Sequence, residues 1–136
     1  MRECMYPSLT EDQVMEVLDN TLRVAGMDPF FDIVLFNEDA RNSYGETVGS
    51  KVLEAATFVL IDVGAHLFGY SSDICRTFFP PSFTKPTTAA EVAALSPIIR
   101  TKLSVWDTVL EAQTQSRHVL KGLFVISVDS YCFLLV

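Results

Sequence analysis

Residues 58–79 read FVLIDVGAHLFGYSSDICRTFF, and the fold turns on how this stretch is paired. Phe58 to Val63 is apolar apart from Asp62, which suits a strand buried on both faces. Ser72 to Phe79 reads as a returning strand that Pro80 and Pro81 terminate, because proline cannot donate to a sheet ladder. A hairpin centred on Leu67 and Phe68 sets Asp62 directly opposite Asp73, each five residues outside the central pair. Directly opposed residues share a face, with Cβ atoms ~5 Å apart. Leu-Phe is nonetheless a poor two-residue turn, since such turns favour Asn, Asp or Gly.

An unpaired carboxylate among the apolar neighbours of Asp62 is costly, or shifts its pKa upward. Two facing carboxylates repel unless a proton or a cation lies between them. Arg76 is the ordinary candidate for a counter-charge. It sits three residues beyond Asp73, however, and so on the opposite face of a regular strand. A divalent cation held by hard carboxylate oxygens is one solution, and a solvated or proton-sharing pair is the other; the residues alone leave both open. A calcium EF-hand loop starting at Asp62 is a poor alternative, because Gly64, His66 and Leu67 fall where that motif needs acidic or amide ligands and a glycine.

Upstream, Thr10-Glu11-Asp12-Gln13 has the form of a capping box and opens a helix. Its apolar stripe is Val14, Val17, Leu18, Leu22 and Ala25, and Gly26 to Pro29 stops it. Phe30 to Phe36, FFDIVLF, reads as a strand, and the polar Asn37 to Ser50 as a connecting loop. Downstream, Pro80 to Thr88 is a surface excursion leading into a helical turn over Ala89 to Leu95. Pro97 begins a long amphipathic helix over Ile98 to His118, with Ile99, Leu103, Trp106, Val109, Leu110 and Ala112 as its apolar side and Lys121-Gly122 as its close.

With 136 residues and 49% hydrophobic content the chain can bury a real core as one domain. A formal charge of -7 with scattered Lys and Arg argues against nucleic-acid binding. Cys4, Cys75 and Cys132 form no C-x-x-C pair, so ordinary thiols in a reducing compartment are expected. The N-terminus lacks the apolar core of a secretory signal, and Gly122 to Val136, interrupted by Asp129, is shorter than the ~20 residues that span a bilayer. Cytoplasmic residence without membrane attachment is the expectation.

The strings V-L-I-D-V-G-A and G-Y-S-S-D-I-C-R-T-F, with two aspartates eleven residues apart, resemble the first metal-ligand hairpin of the creatinase/prolidase/methionine aminopeptidase metallopeptidases, and among them the Xaa-Pro dipeptidases and aminopeptidases. A weaker resemblance covers Phe31 to Leu53 and V-W-D-T-V-L-E-A-Q of the long helix. It implies an α+β pita-bread fold. It also implies a pair of divalent ions, manganese or cobalt, chelated by Asp62 and bridged by Asp73, which activate water against the scissile carbonyl. The implied substrate is a peptide N-terminus with proline second.

The family completes its site with one histidine and two glutamates from the second half of its fold, which this sequence lacks after Glu111 and His118. Tyr44-Gly45 stands where the family has a substrate-contacting histidine before glycine, and Ala56-Thr57 where it has Gly-Asp, a turn variation. The expectation is therefore an incomplete pita-bread domain over residues 1–122, followed by a divergent apolar tail over 123–136. Only Asp62 and Asp73 are assigned as metal ligands, and no residue is assigned a catalytic or organic-cofactor role. His66 and His118 are expected in solvated or capping roles, and Trp106 and Tyr70 in packing. Metal binding by two aspartates alone should be weak, and uncovered apolar surface predicts self-association. Three functional readings follow: a truncated exopeptidase inactive alone, a noncatalytic peptide- or protein-binding module, or an enzyme completed by another chain.

Overall fold

The computed structural model describes residues 2–42 and 47–123, in two compact units divided between Thr84 and Lys85. In the first unit, helix α1 (Glu11–Val24) precedes strands β1 (Asp28–Phe36), β2 (Val59–Leu67) and β3 (Tyr70–Phe78). The strands form an open antiparallel sheet in the order β1-β2-β3. The second unit holds α2 (Ala89–Ala94) and α3 (Pro97–Leu123). The expected α+β class holds, as an incomplete pita-bread-like fragment.

Both sides of the Thr10 capping box form: the hydroxyl accepts from the Gln13 N–H, and the Gln13 side chain accepts from the Thr10 N–H. At the other end of α1, Met27 N–H bonds to Leu22 O and Gly26 N–H to Arg23 O, a Schellman closure that satisfies the last carbonyls. The buried side of α1 is Glu11, Val14 and Leu18. Val17 of the expected stripe is half exposed and Ala25 lies beyond the helix, because the helix faces the sheet along the 11-14-18 line.

Val14 and Leu18 pack with Val34, Phe36, Val59 and Ile61 in one core cluster. One face of the sheet is thereby committed to α1, and the alternation of strand side chains sends the residues between them to the other face. Asp32, opposite Val63, lies on the α1 side. Burial first, and then the charge of Asp19, push its pKa up, while Arg23 pulls it down. A carboxyl whose folded pKa lies above its unfolded one loses stability as pH rises through that interval. Asp32→Asn should therefore raise the thermal midpoint at pH 7, and the gain should vanish below about pH 3, where both states are protonated; melts at the two pH values check it.

The hairpin differs from its expected register. Asp62 pairs with Cys75 and Gly64 with Asp73, around a turn flanked by Leu67 and Tyr70. The central turn residues are Phe68 (φ 51) and Gly69 (φ 82), the positive-φ pair of a type I′ turn. Leu67-Phe68 would have put two bulky residues at positive φ, whereas sliding the turn by one residue gives Gly69 one of those positions. That slide moves the pairing by two residues, so face assignments survive and only the spacing across the hairpin changes.

The expected loop after β1 begins with a 3-10 turn at Asn37–Arg41. Its far end is tied to the start of α1 through Asp12 N–H to Gly49 O and Glu11 N–H to Lys51 O, and to the residue before the cap through Leu53 N–H to Leu9 O. Thr57 is fully buried and closes a turn with Glu54 before β2. In the second unit, Thr88 and Glu91 form a capping box on α2. Lys85 pairs with Asp107 at 2.6 Å and lies 4.6 Å from the Trp106 ring centroid. Helix α3 starts at Pro97 as expected and passes the expected close at Lys121-Gly122 to end at Leu123. Among the described residues of α3 Leu103 is buried, whereas Val109 and Leu110 are substantially exposed. The apolar tail and Tyr44-Gly45 lie outside the described residues.

Candidate metal centre

Asp62 and Asp73 are brought together on the sheet face that points away from α1. Asp62 comes from the middle of β2, and Asp73 from the β3 position opposite Gly64, so the two are diagonal neighbours on one face. Their carboxyl groups still meet. Burial, the charge of Asp73 and a side-chain hydrogen bond to Asp73, in that order, raise the Asp62 pKa above the ordinary carboxylate value. The Asp62 Oδ1 atom is buried and has no hydrogen-bond partner. An orphaned carboxylate oxygen beside a second carboxyl is the donor set that a hard divalent ion accepts, so these two residues fit such an ion.

Arg76 does not neutralise the pair. It opposes Ile61 on the α1 side, its Nη1 donates to Cys75 O at 2.7 Å, and it lines an apolar cavity of about 440 Å³ with Leu18, Ile61 and Val63. A second cavity of about 390 Å³, lined by Leu22, Met27, Ala65 and Phe68, is on the same side. Neither cavity opens at the aspartates. Among the described residues no group of three or more His, Cys, Asp or Glu is placed to hold a metal ion, so the aspartates stand as a pair.

Several neighbours of the pair escaped the sequence reading. Cys75 lies directly across from Asp62. His66 is exposed, as expected, yet its Nδ1 is 2.9 Å from Ser71 Oγ and its ring stacks on Phe30 at 4.5 Å. Gly64, between the two aspartate positions, is overlain by aromatic rings: a Cβ built there would stand 2.6 Å from Phe31 Cε1 and closer still to Phe30 Cζ. Glycine within a strand is itself a signal of such close approach, so this feature had a trace in the sequence. His118 is exposed on α3.

The sequence profile of metallopeptidase family M24 matches residues 1–124. An uncharacterized peptidase of Schizosaccharomyces pombe is 35% identical over 125 residues, covering 90% of this chain and 24% of that protein. YkvY of Bacillus subtilis, a candidate dipeptidase by name, is 36% identical over 72 residues, covering 52% of this chain and 20% of that protein. The chain thus spans about a quarter or less of the length of these relatives. No solved structure matches it. No helix among the described residues is long and apolar enough to cross a membrane. On the match over residues 1–124, the chain belongs to metallopeptidase family M24.

Proposed function

We propose that Asp62 and Asp73 supply the first two ligands of a divalent-metal centre, manganese or cobalt, in an exopeptidase that acts on N-terminal Xaa-Pro peptides. The observation that carries this reading is the meeting of the two carboxyl groups around the buried, partnerless Oδ1 of Asp62. When bound, such ions polarise the scissile carbonyl and lower the pKa of the attacking water. The chain's own contribution is to hold both carboxyl groups at fixed spacing on the hairpin, with the buried Oδ1 of Asp62 left free to accept a cation. Residues 1–122 form the first part of the peptidase domain in this reading, with residues 123–136 a divergent tail, and the protein resides in the cytoplasm.

Two carboxylates leave most of the six to eight positions of an oxygen-ligated ion to water. The chain alone therefore binds metal weakly and is inactive, and hydrolysis awaits the histidine and two glutamates of the complete family site. Isothermal titration with Mn²⁺ should give a dissociation constant of ~10⁻⁴–10⁻³ M, the weak end for such sites. Asp62→Ala should erase the heat. An equal heat from the variant would place the ion elsewhere, and no heat from the wild type would leave the aspartates as a proton-sharing pair. The presence of only two ligands among the described residues favours a second reading, a noncatalytic peptide- or protein-binding module. A pulldown that recovers no specific peptide or protein partner would decide against it.

A further inference from the structure

We propose that the exposed face of α3 is a self-complementary interface through which a second copy of this chain pairs, helix against helix and antiparallel. The pairing is independent of the metal centre and of any peptidase activity.

Helix α3 carries two apolar lines. Leu103 is buried on the first, with Ile99 and Trp106 half-buried beside it. On the second, Ile98, Val105, Val109 and Val119 are 70%, 52%, 50% and 60% exposed, and Ala112 is exposed with them. One apolar stripe is enough to pack a helix, and a second one left in water marks a contact surface. With Lys102 and Ser116 filling the gaps, positions 98, 102, 105, 109, 112, 116 and 119 advance by alternating steps of four and three. That is the 3.5-residue average of a coiled-coil seam, kept here over three heptads, or ~33 Å of helix.

The polar residues of the seam choose the partner and its direction. In a parallel pair Lys102 would face its own copy, two like charges in an apolar seam. An antiparallel pair staggered about Asp107 instead sets Val105 against Val109 of the second copy. Lys102 then lies against Ala112 of the second copy, whose small side chain leaves room for the lysine stem to run outward to water. The same stagger brings the basic start of α3, Arg100 and Lys102, level with the acidic Glu111 of the second copy. Opposite charges within a Debye length attract, and antiparallel helix dipoles act in the same sense. Asp107 falls on the outer side of this seam, where it pairs with Lys85 at 2.6 Å. A two-fold axis closes the contact at two chains, and a lysine and a serine in so short a seam keep it weak and reversible.

Sedimentation of the full chain over a range of concentrations should show a reversible monomer–dimer equilibrium. Val109→Asp puts an unpaired charge in the seam and should raise the dissociation constant by about tenfold or more. Helical content by circular dichroism should be unchanged, because Val109 is half exposed without the partner. Lys102→Leu should tighten the dimer about tenfold by removing a partly desolvated charge. Glu111→Lys, at an exposed outer position, should weaken it about twofold to threefold at low salt and leave it unchanged at high salt. Ile74→Asp, on the sheet, should have no effect on association. A chain that stays monomeric at every concentration, a dimer indifferent to both Val109→Asp and Lys102→Leu, or one that Ile74→Asp dissolves would overturn the pairing.

Discussion

Glu11→Ala is expected to cost the protein about 2–6 kcal/mol, since it strands two partly or fully buried hydrogen-bonding groups at about 1–3 kcal/mol each. Glu11 is 0% exposed. Its Oε1 accepts from the Phe36 N–H at 2.6 Å and its Oε2 from the Thr47 hydroxyl at 2.6 Å. One side chain therefore ties the start of α1 to the end of β1 and to the segment that returns toward β2. Denaturant unfolding should show a lower midpoint, and hydrogen exchange at the Phe36 amide should accelerate more than at other β1 amides. Glu11→Gln keeps one acceptor for Phe36, while the Thr47 hydroxyl can rotate to accept from the new amide. It should lose only about 1 kcal/mol, one ordinary hydrogen bond's worth. Equal losses in the two variants would mean that Glu11 acts through packing instead.

Gly64→Val should be comparably damaging for the opposite reason, excess volume. The new Cβ would overlap both Phe30 and Phe31, and neither ring can withdraw without breaking the stacks it makes with its neighbours. Overpacking of this kind costs about 1–3 kcal/mol, a fall in Tm of roughly 5–15 °C for a domain of this size. Phe30→Ala removes one of the two obstructing rings. The double variant Gly64→Val/Phe30→Ala should therefore be more stable than the sum of the single changes allows, the non-additivity expected of residues in contact. Strict additivity would show that the two sites do not touch.

The elements set by local rules were legible in the sequence: the Thr10 capping box, the start of α3 at Pro97 and the three strands. The face shared by Asp62 and Asp73 was legible too, because any turn that moves by whole residues shifts an antiparallel pairing by two and preserves side. The register itself was not, since Leu67-Phe68 and Phe68-Gly69 are adjacent choices and the decision rests on backbone φ at Gly69. Glu11 escaped because the first turn of a helix ordinarily points its acids at solvent. Its burial depends on a segment some 36 residues away in the chain. The meeting of Phe30 with Phe31 and His66 escaped because a bulge inverts the alternation by which Phe30 would be assigned to a face.

The Phe68-Gly69 turn sets the distance between the two aspartates. The slide from the expected to the observed turn exchanges a face-to-face meeting of Asp62 and Asp73 for a diagonal one, widening the span between their Cβ atoms from ~5 Å toward ~7–8 Å. The separation of the two carboxylates is thus set at the exposed tip of the hairpin, several residues from either aspartate, so a change of turn would alter it while both side chains stay unchanged.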